Sequence, residues 1–212
     1  MRFLHLADLH LGKVLHKQNL LEDQKYILQQ ILQISEENAV DAVLIAGDVY
    51  QRNAPSAEAM TVFSDFITEL AKRSLPCYII SGNHDSAERV AYLAPLAQLS
   101  GVYISGADTA NIYTFTQSDE FGEIMLHLMP FTTPLQVRQA FPEQADEIQN
   151  YHDAIRILMQ HHPIDPQKRN IILAHKFQTG AQVCDSEELA IGGLDNISAA
   201  LFDDYDYAAL GH

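Results

Sequence analysis

Five short apolar runs punctuate this chain, and each ends in Asp, Asn or His. Phe3 to Ala7 runs into Asp8 and His10, and Ala42 to Ala46 runs through Gly47 into Asp48. Cys77 to Ser81 runs through Gly82 into Asn83, His84 and Asp85. Ile171 to Ala174 runs into His175, and Tyr207 to Leu210 runs through Gly211 into His212. Apolar runs of this length read as buried strands. Gly47 permits a sharp turn where its strand stops, and open α/β sheets carry their ligands at strand tips. Taken singly, each ending is an ordinary loop residue. As a set, they suggest side chains converging on one point, and Asp, Asn and His together ligate divalent ions such as manganese, iron or zinc.

The order of elements supports a sheet behind those tips. Residues 2–7 read as a first strand, followed by a polar loop from Asp8 to Lys17. Leu20, Ile27, Leu28, Ile31, Leu32 and Ile34 recur at helical spacing. Strand 42–46 follows. Ser56 is placed to cap a second helix, with Glu58 in its first turn and Met60, Phe63, Phe66, Ile67 and Leu70 on one face. Pro76 opens strand 77–81, and a helix is expected over 87–99. Three strand–helix units in succession predict a parallel sheet built by βαβ connections. Segments 101–105, 112–115 and 123–129 then read as strands without intervening helices, which predicts a second, mixed or antiparallel sheet. A helix over 145–162, ended by Pro163 and Pro166, precedes strand 170–174. Residues 177–195 have too little periodicity to assign, and a short helix over 198–202 leads into the last strand.

With 212 residues, 47% of them hydrophobic, the chain can bury a full core as one domain or at most two. Its formal charge of −15 argues against coating nucleic acid by bulk charge. It leaves room for nucleic acid held through bound cations or a local basic patch. Cys77 and Cys184 form no CxxC pair, and each reads as an idle thiol. No secretory leader follows Met1 and no apolar stretch approaches membrane-span length, so the cytoplasm is the expected compartment. The sequence stops on His212, inside the candidate site, which predicts a domain truncated at its C-terminal end.

Asp8-x-His10, Gly47-Asp48, Gly82-Asn83-His84-Asp85, His175 and Gly211-His212 resemble the metallophosphoesterase signature of the calcineurin-like superfamily. The N-terminal RFLHLADLHLGK and the late IGGLDNISAALFDDYDYAALGH are similar, more narrowly, to the SbcD family of bacterial nucleases, related to the eukaryotic Mre nucleases. The resemblance covers essentially the whole chain. It implies an α/β fold, a four-layer α-β-β-α sandwich of two mixed sheets, spanning residues 1–212 as a nuclease domain. It implies two divalent metal ions, manganese foremost. One would be held by Asp8, His10 and Asp48 and the other by Asp48, Asn83, His175 and His212, with Asp48 bridging. The family motif continues Gly-His-x-His, so the first site is expected to lack its last His here.

His84 matches the family's catalytic His, which protonates the leaving 3′ oxygen or holds the phosphate. Gln51 stands where relatives often carry Asp or His beside it. The implied activity is double-strand exonuclease and single-strand or hairpin endonuclease cleavage of DNA by activated water, in repair and recombination. The implied partners are an SbcC-type coiled-coil ATPase and a second copy, as a homodimer in the complex. A small-molecule or protein phosphoesterase on the same fold is the alternative, slightly favoured by the acidic charge. Against it, Asp85 stands where protein phosphatases carry Glu, and no Asp-Arg-Gly follows Asp48.

Other polar residues have plainer readings. Asp85 is expected to bond loop backbone amides, and His5 to be a packed core residue. His16, His127, His152, His161 and His162 read as surface or packing residues. Arg52 and Lys176 flank the site loops and suit either a phosphate contact or solvent.

Overall fold

The structure is a computed structural model, described here over residues 1–176 and 196–212. Cys184 and the unassigned stretch 177–195 lie outside the described residues. In chain order the elements are β1 (Phe3–Leu6), β2 (Val14–Leu15), β3 (Gln18–Asn19), α1 (Leu21–Glu37), β4 (Ala42–Ala46), α2 (Ala57–Lys72) and β5 (Cys77–Ile80). Then come α3 (Ala87–Val90), α4 (Ala94–Gln98), β6 (Val102–Ile104), β7 (Tyr113–Asp119), β8 (Gly122–Met129) and α5 (Pro134–Ala140). The chain continues with α6 (Tyr151–Gln160), β9 (Arg169–His175) and β10 (Tyr207–Gly211). Two 3-10 segments, Pro142–Glu147 and Ala199–Phe202, precede α6 and β10.

The first sheet has the order β1-β4-β5-β6 and is parallel throughout. The second has the order β10-β9-β8-β7 and is mixed, with β7 antiparallel to β8 and the other pairs parallel. The α/β sandwich expected from the sequence is therefore present, with one parallel and one mixed sheet. Side-chain alternation along β4 explains the stacking. Val43 and Ile45 point to α1 and α2, where Leu28, Leu32, Phe63, Phe66 and Leu70 cover them. Ala42 and Leu44 point the other way, onto Ile124, Leu126, Leu128 and Leu173 of the second sheet. The outer face of that sheet, with Met129, Ile172 and Ala174, is closed by Ile155 and Leu158 of α6. Leu44 and Leu126 are fully buried between the sheets, and each such side chain contributes about 1.5–3 kcal/mol.

Several expectations are corrected. The helix over 87–99 is two short ones. Leu93 swings to φ 64 between them, and Pro95, with no amide to give a preceding turn, opens a new helix instead of extending the old one. Segment 101–105 does not belong to the second sheet: β6 pairs with β5 in the first. Because α3 and α4 provide the crossover, the βαβ pattern runs one unit further than the sequence suggests. The helix over 145–162 starts only at Tyr151, where the Asn150 side chain accepts the Asp153 amide at 2.9 Å. An unexpected α5 starts from a capping box of Thr133 and Gln136. On α2, Ser56 caps as expected and accepts the Ala59 amide, but Met60 is exposed and Ala59 and Val62 take the buried face. The loop 8–17 contributes a small hairpin, β2–β3, through left-handed His16 and Lys17.

Candidate metal centre

All five tips lie at one end of the stacked sheets. β1, β4 and β5 of the first sheet deliver Asp8, His10, Asp48, Asn83 and His84, while β9 and β10 of the second deliver His175 and His212. Asp8, His10 and Asp48 have left-handed backbone, at φ 56, 44 and 51. Such positions cost of order 1–3 kcal/mol each for non-glycine residues and persist only where the surroundings enforce them. Here the two loops are laced together. Asp8 N–H donates to the Gly47 carbonyl (3.1 Å), His10 N–H to Asp48 (3.0 Å), Leu11 N–H to Val49 (3.0 Å) and Gln51 N–H back to Leu11 (3.1 Å). The Asp85 carboxylate accepts the amides of Val49 (3.0 Å), Tyr50 (2.9 Å) and Gly82 (2.9 Å). It therefore bonds loop amides, as the sequence suggested.

Asp48 is the centre of the arrangement. It is buried, and its Oδ1 accepts the His84 amide at 2.9 Å. Its Oδ2 lies 3.3 Å from His175 Nε2, 3.6 Å from His10 Nε2 and 4.0 Å from His84 Nε2. Asp8 Oδ1 is 3.8 Å from His10 Nε2 and 4.0 Å from His175 Nε2, and Asp8 Oδ2 accepts the His212 amide at 3.0 Å. Asn83 Oδ1 is 3.0 Å from His175 Nε2. Two donor groups of metal-binding size result: His10, Asp48 and His84, and Asp48, His175 and His212. They share Asp48. The first differs from the sequence-based set in holding His84 in place of Asp8, with the His10 and His84 rings 4.9 Å apart and nearly perpendicular.

The proton positions test whether a cation fits. His175 Nδ1 lies 2.7 Å from the Ala46 carbonyl, so that nitrogen carries the hydrogen. Nε2 of the neutral ring is then a lone pair facing a carboxylate oxygen of Asp48 and the amide oxygen of Asn83. Three electron-rich atoms converge, and only a second proton or a cation reconciles them. Burial opposes charge on His175, but Asp48, the Ala46 carbonyl and Asp8 outweigh it and its pKa is raised. Burial also opposes charge on Asp48, yet His175 and the His84 amide hold its pKa below the usual carboxylate value. His212 is lowered to about 4, by burial and then by the neighbouring His175 charge. A donor set of carboxylates, imidazoles and one amide oxygen suits divalent transition ions.

Three glycines make this packing possible. A Cβ on Gly82 would collide with Asp48, one on Gly47 with the His175 ring, and one on Gly211 with the Ala46 carbonyl. Lys176 is not solvent-exposed. It is buried, donates to the Thr132 carbonyl, and lies 3.7 Å from the Phe131 ring centroid and 4.3 Å from that of Tyr151. Phe131 in turn meets the His175 and His212 rings. Arg52 is exposed.

Sequence reasoning missed Gln24, which bonds the His10 loop from α1. The available signal was a polar residue on the buried stripe that Leu21 and Leu28 define.

The family model for calcineurin-like phosphoesterases matches residues 1–212. The chain is 34% identical over 216 residues to the SbcD component of the SbcCD nuclease of Staphylococcus epidermidis and 32% identical over 216 residues to that of Staphylococcus saprophyticus. Each alignment covers 100% of this chain and 56% of the relative, so the chain spans about half the length of these curated relatives. Among solved structures it is similar to the calcineurin-like phosphoesterase YfkN of Bacillus subtilis. That likeness has 16% identity and a TM-score of 0.47, over 99% of this chain and 71% of the other.

Proposed function

Since this chain belongs to the calcineurin-like phosphoesterases, we propose that it is the catalytic domain of a metal-dependent DNA phosphodiesterase of the SbcD kind. The observation that carries this is the pair of donor groups sharing Asp48. Asp8, His10 and Asp48 would hold one divalent ion, and Asp48, Asn83, His175 and His212 the other, with manganese the first candidate. When bound, such a pair clamps a phosphodiester and lowers the pKa of a water to a value useful at neutral pH.

The chain's own groups do the rest. Asp48, on a strained and laced turn, sets the spacing between the two donor groups. His84 keeps its Nδ1 proton on the Gln51 carbonyl at 3.1 Å, which leaves Nε2 turned toward the site. With a second proton on Nε2, taken from solvent, the imidazolium gives that proton to the departing oxygen of the cleaved strand while Nδ1–H stays on the carbonyl. Similarity to the SbcD component of SbcCD nucleases supports DNA as substrate and an SbcC-type partner, and the same reading makes that partner an ATPase and the complex a homodimer. Exonuclease and hairpin endonuclease action in repair and recombination completes the proposal. No helix among the described residues is long and apolar enough to cross a membrane.

The test is cleavage of end-labelled duplex and hairpin DNA with added manganese, beside cyclic nucleotides, nucleotide sugars and phosphopeptides. Manganese-dependent DNA cleavage, lost on chelation, is the expected result. Turnover of small phosphoesters or phosphopeptides with DNA left intact would replace this reading by a phosphoesterase acting on those substrates.

A further inference from the structure

Gln24 occupies a buried-face position on α1 where the helix otherwise places Leu21 and Leu28. Its amide is fully engaged. Nε2 donates to the carbonyls of Leu9 (3.0 Å) and His10 (2.8 Å), and Oε1 accepts the Gly12 amide (3.0 Å). The amides of His10 and Leu11 face the opposite way, onto the carbonyls of Asp48 and Val49. The peptide groups around His10 are thus gripped from two sides, by the β4 loop and by α1. The turn they form is left-handed at His10, a conformation that relaxes unless held.

We propose that Gln24 is the positioning residue for His10, fixing the turn that aims the imidazole at Asp48 and so setting how tightly the Asp8–His10–Asp48 group holds its cation. The proposal rests on the reading of those three residues as ligands. A primary amide of this length is the side chain that fits. Glu has no donor for the two carbonyls, Met has no polar atom of use, and Asn is one methylene short.

The experiment titrates manganese into wild type, Gln24→Met, Gln24→Glu and His10→Ala, counting free ion by electron paramagnetic resonance. Amide exchange of the metal-free proteins is followed in parallel. Wild type is expected to take up two ions and His10→Ala to lose one. Gln24→Met and Gln24→Glu should weaken that same ion by roughly tenfold, the scale of a lost supporting partner, and leave the other unchanged. In the metal-free variants the amides of Leu11 and Gly12 should exchange faster while β4 and β5 stay protected. Two ions bound as in wild type, or both weakened equally with a general loss of protection, would overturn the proposal. If wild type takes up no manganese, the ligand reading falls, and the exchange data alone decide on Gln24. Acceleration confined to Leu11 and Gly12 then supports a positioning role, and unchanged protection there removes it.

Discussion

The Nδ1 of His84 lies 3.1 Å from the backbone carbonyl of Gln51. The orientation that a charged neighbour would supply comes here from the main chain. A carbonyl accepts only, so it fixes the tautomer whatever side chain Gln51 carries.

His84→Gln should therefore retain the fold and the manganese uptake while losing the proton donor. Phosphodiester cleavage is expected to fall roughly a hundredfold to ten-thousandfold, the usual weight of general acid catalysis. Single-turnover rates with manganese calorimetry check this. Loss of one ion together with the activity would instead make His84 a ligand.

Asp48→Asn keeps an oxygen for the His84 amide but removes the shared charge. Manganese affinity should drop by at least about a hundredfold, the upper end of what a lost supporting partner costs. At ion concentrations near 100 times the dissociation constant, wild type gains about 2.7 kcal/mol of stability, and the variant should gain no more than about 0.4 kcal/mol. Thermal melts with and without chelator measure the difference.

Gly82→Ala places a methyl group against the backbone and side chain of Asp48. Both are fixed by hydrogen bonds, so relief requires a backbone shift. A loss of about 1–3 kcal/mol is expected, readable in urea unfolding, together with weaker manganese binding. A variant as stable as wild type would mean that the β4 and β5 loops part more easily than their lacing implies.

Away from the site, His127 and His162 form a neutral pair between the second sheet and the end of α6. Asn170 gives both amide hydrogens to the Asp165 and Lys168 carbonyls, so its oxygen accepts from His127 Nε2 at 2.9 Å. The facing nitrogens of the two rings are 3.2 Å apart and share Thr114, and Tyr205 packs edge-on to His127. Burial foremost lowers the pKa of both, and His127 lowers that of His162 further. The unfolded chain thus binds more protons below the ordinary histidine value of about 6.5, and stability falls as pH drops through and below it. Urea unfolding at about pH 7.5 and about pH 5.5, either side of that range, should show a smaller loss in His127→Gln than in wild type. Equal losses would exclude this pair as a source.

Much of this was legible because apolar runs, a turn glycine and a terminal donor recur together: the strands ending at Asp8, Asp48, Asn83, His175 and His212 were readable, and the tips do meet. What the pattern could not carry was partner choice. Val102–Ile104 reads as a strand wherever it pairs, and its place beside β5 follows from the crossover through α3 and α4. The break at Leu93 lay behind apolar periodicity that continued past it. Lys176 suits either a phosphate contact or solvent on sequence grounds, because its aromatic neighbours, Phe131 and Tyr151, are distant in sequence. Gln24 was hidden for the opposite reason: a helix glutamine is ordinary until its carbonyl partners are seen.

The donors arrive from both layers, and Asp48 and His175 belong to different ones. A chain in which only the first layer has formed carries the group around His10 and Asp48, but only Asp48 of the group completed by His175 and His212. Completion of the second group is thereby coupled to completion of the sandwich. A cation held by Asp48, His175 and His212 would therefore also clasp the two sheets together along their seam.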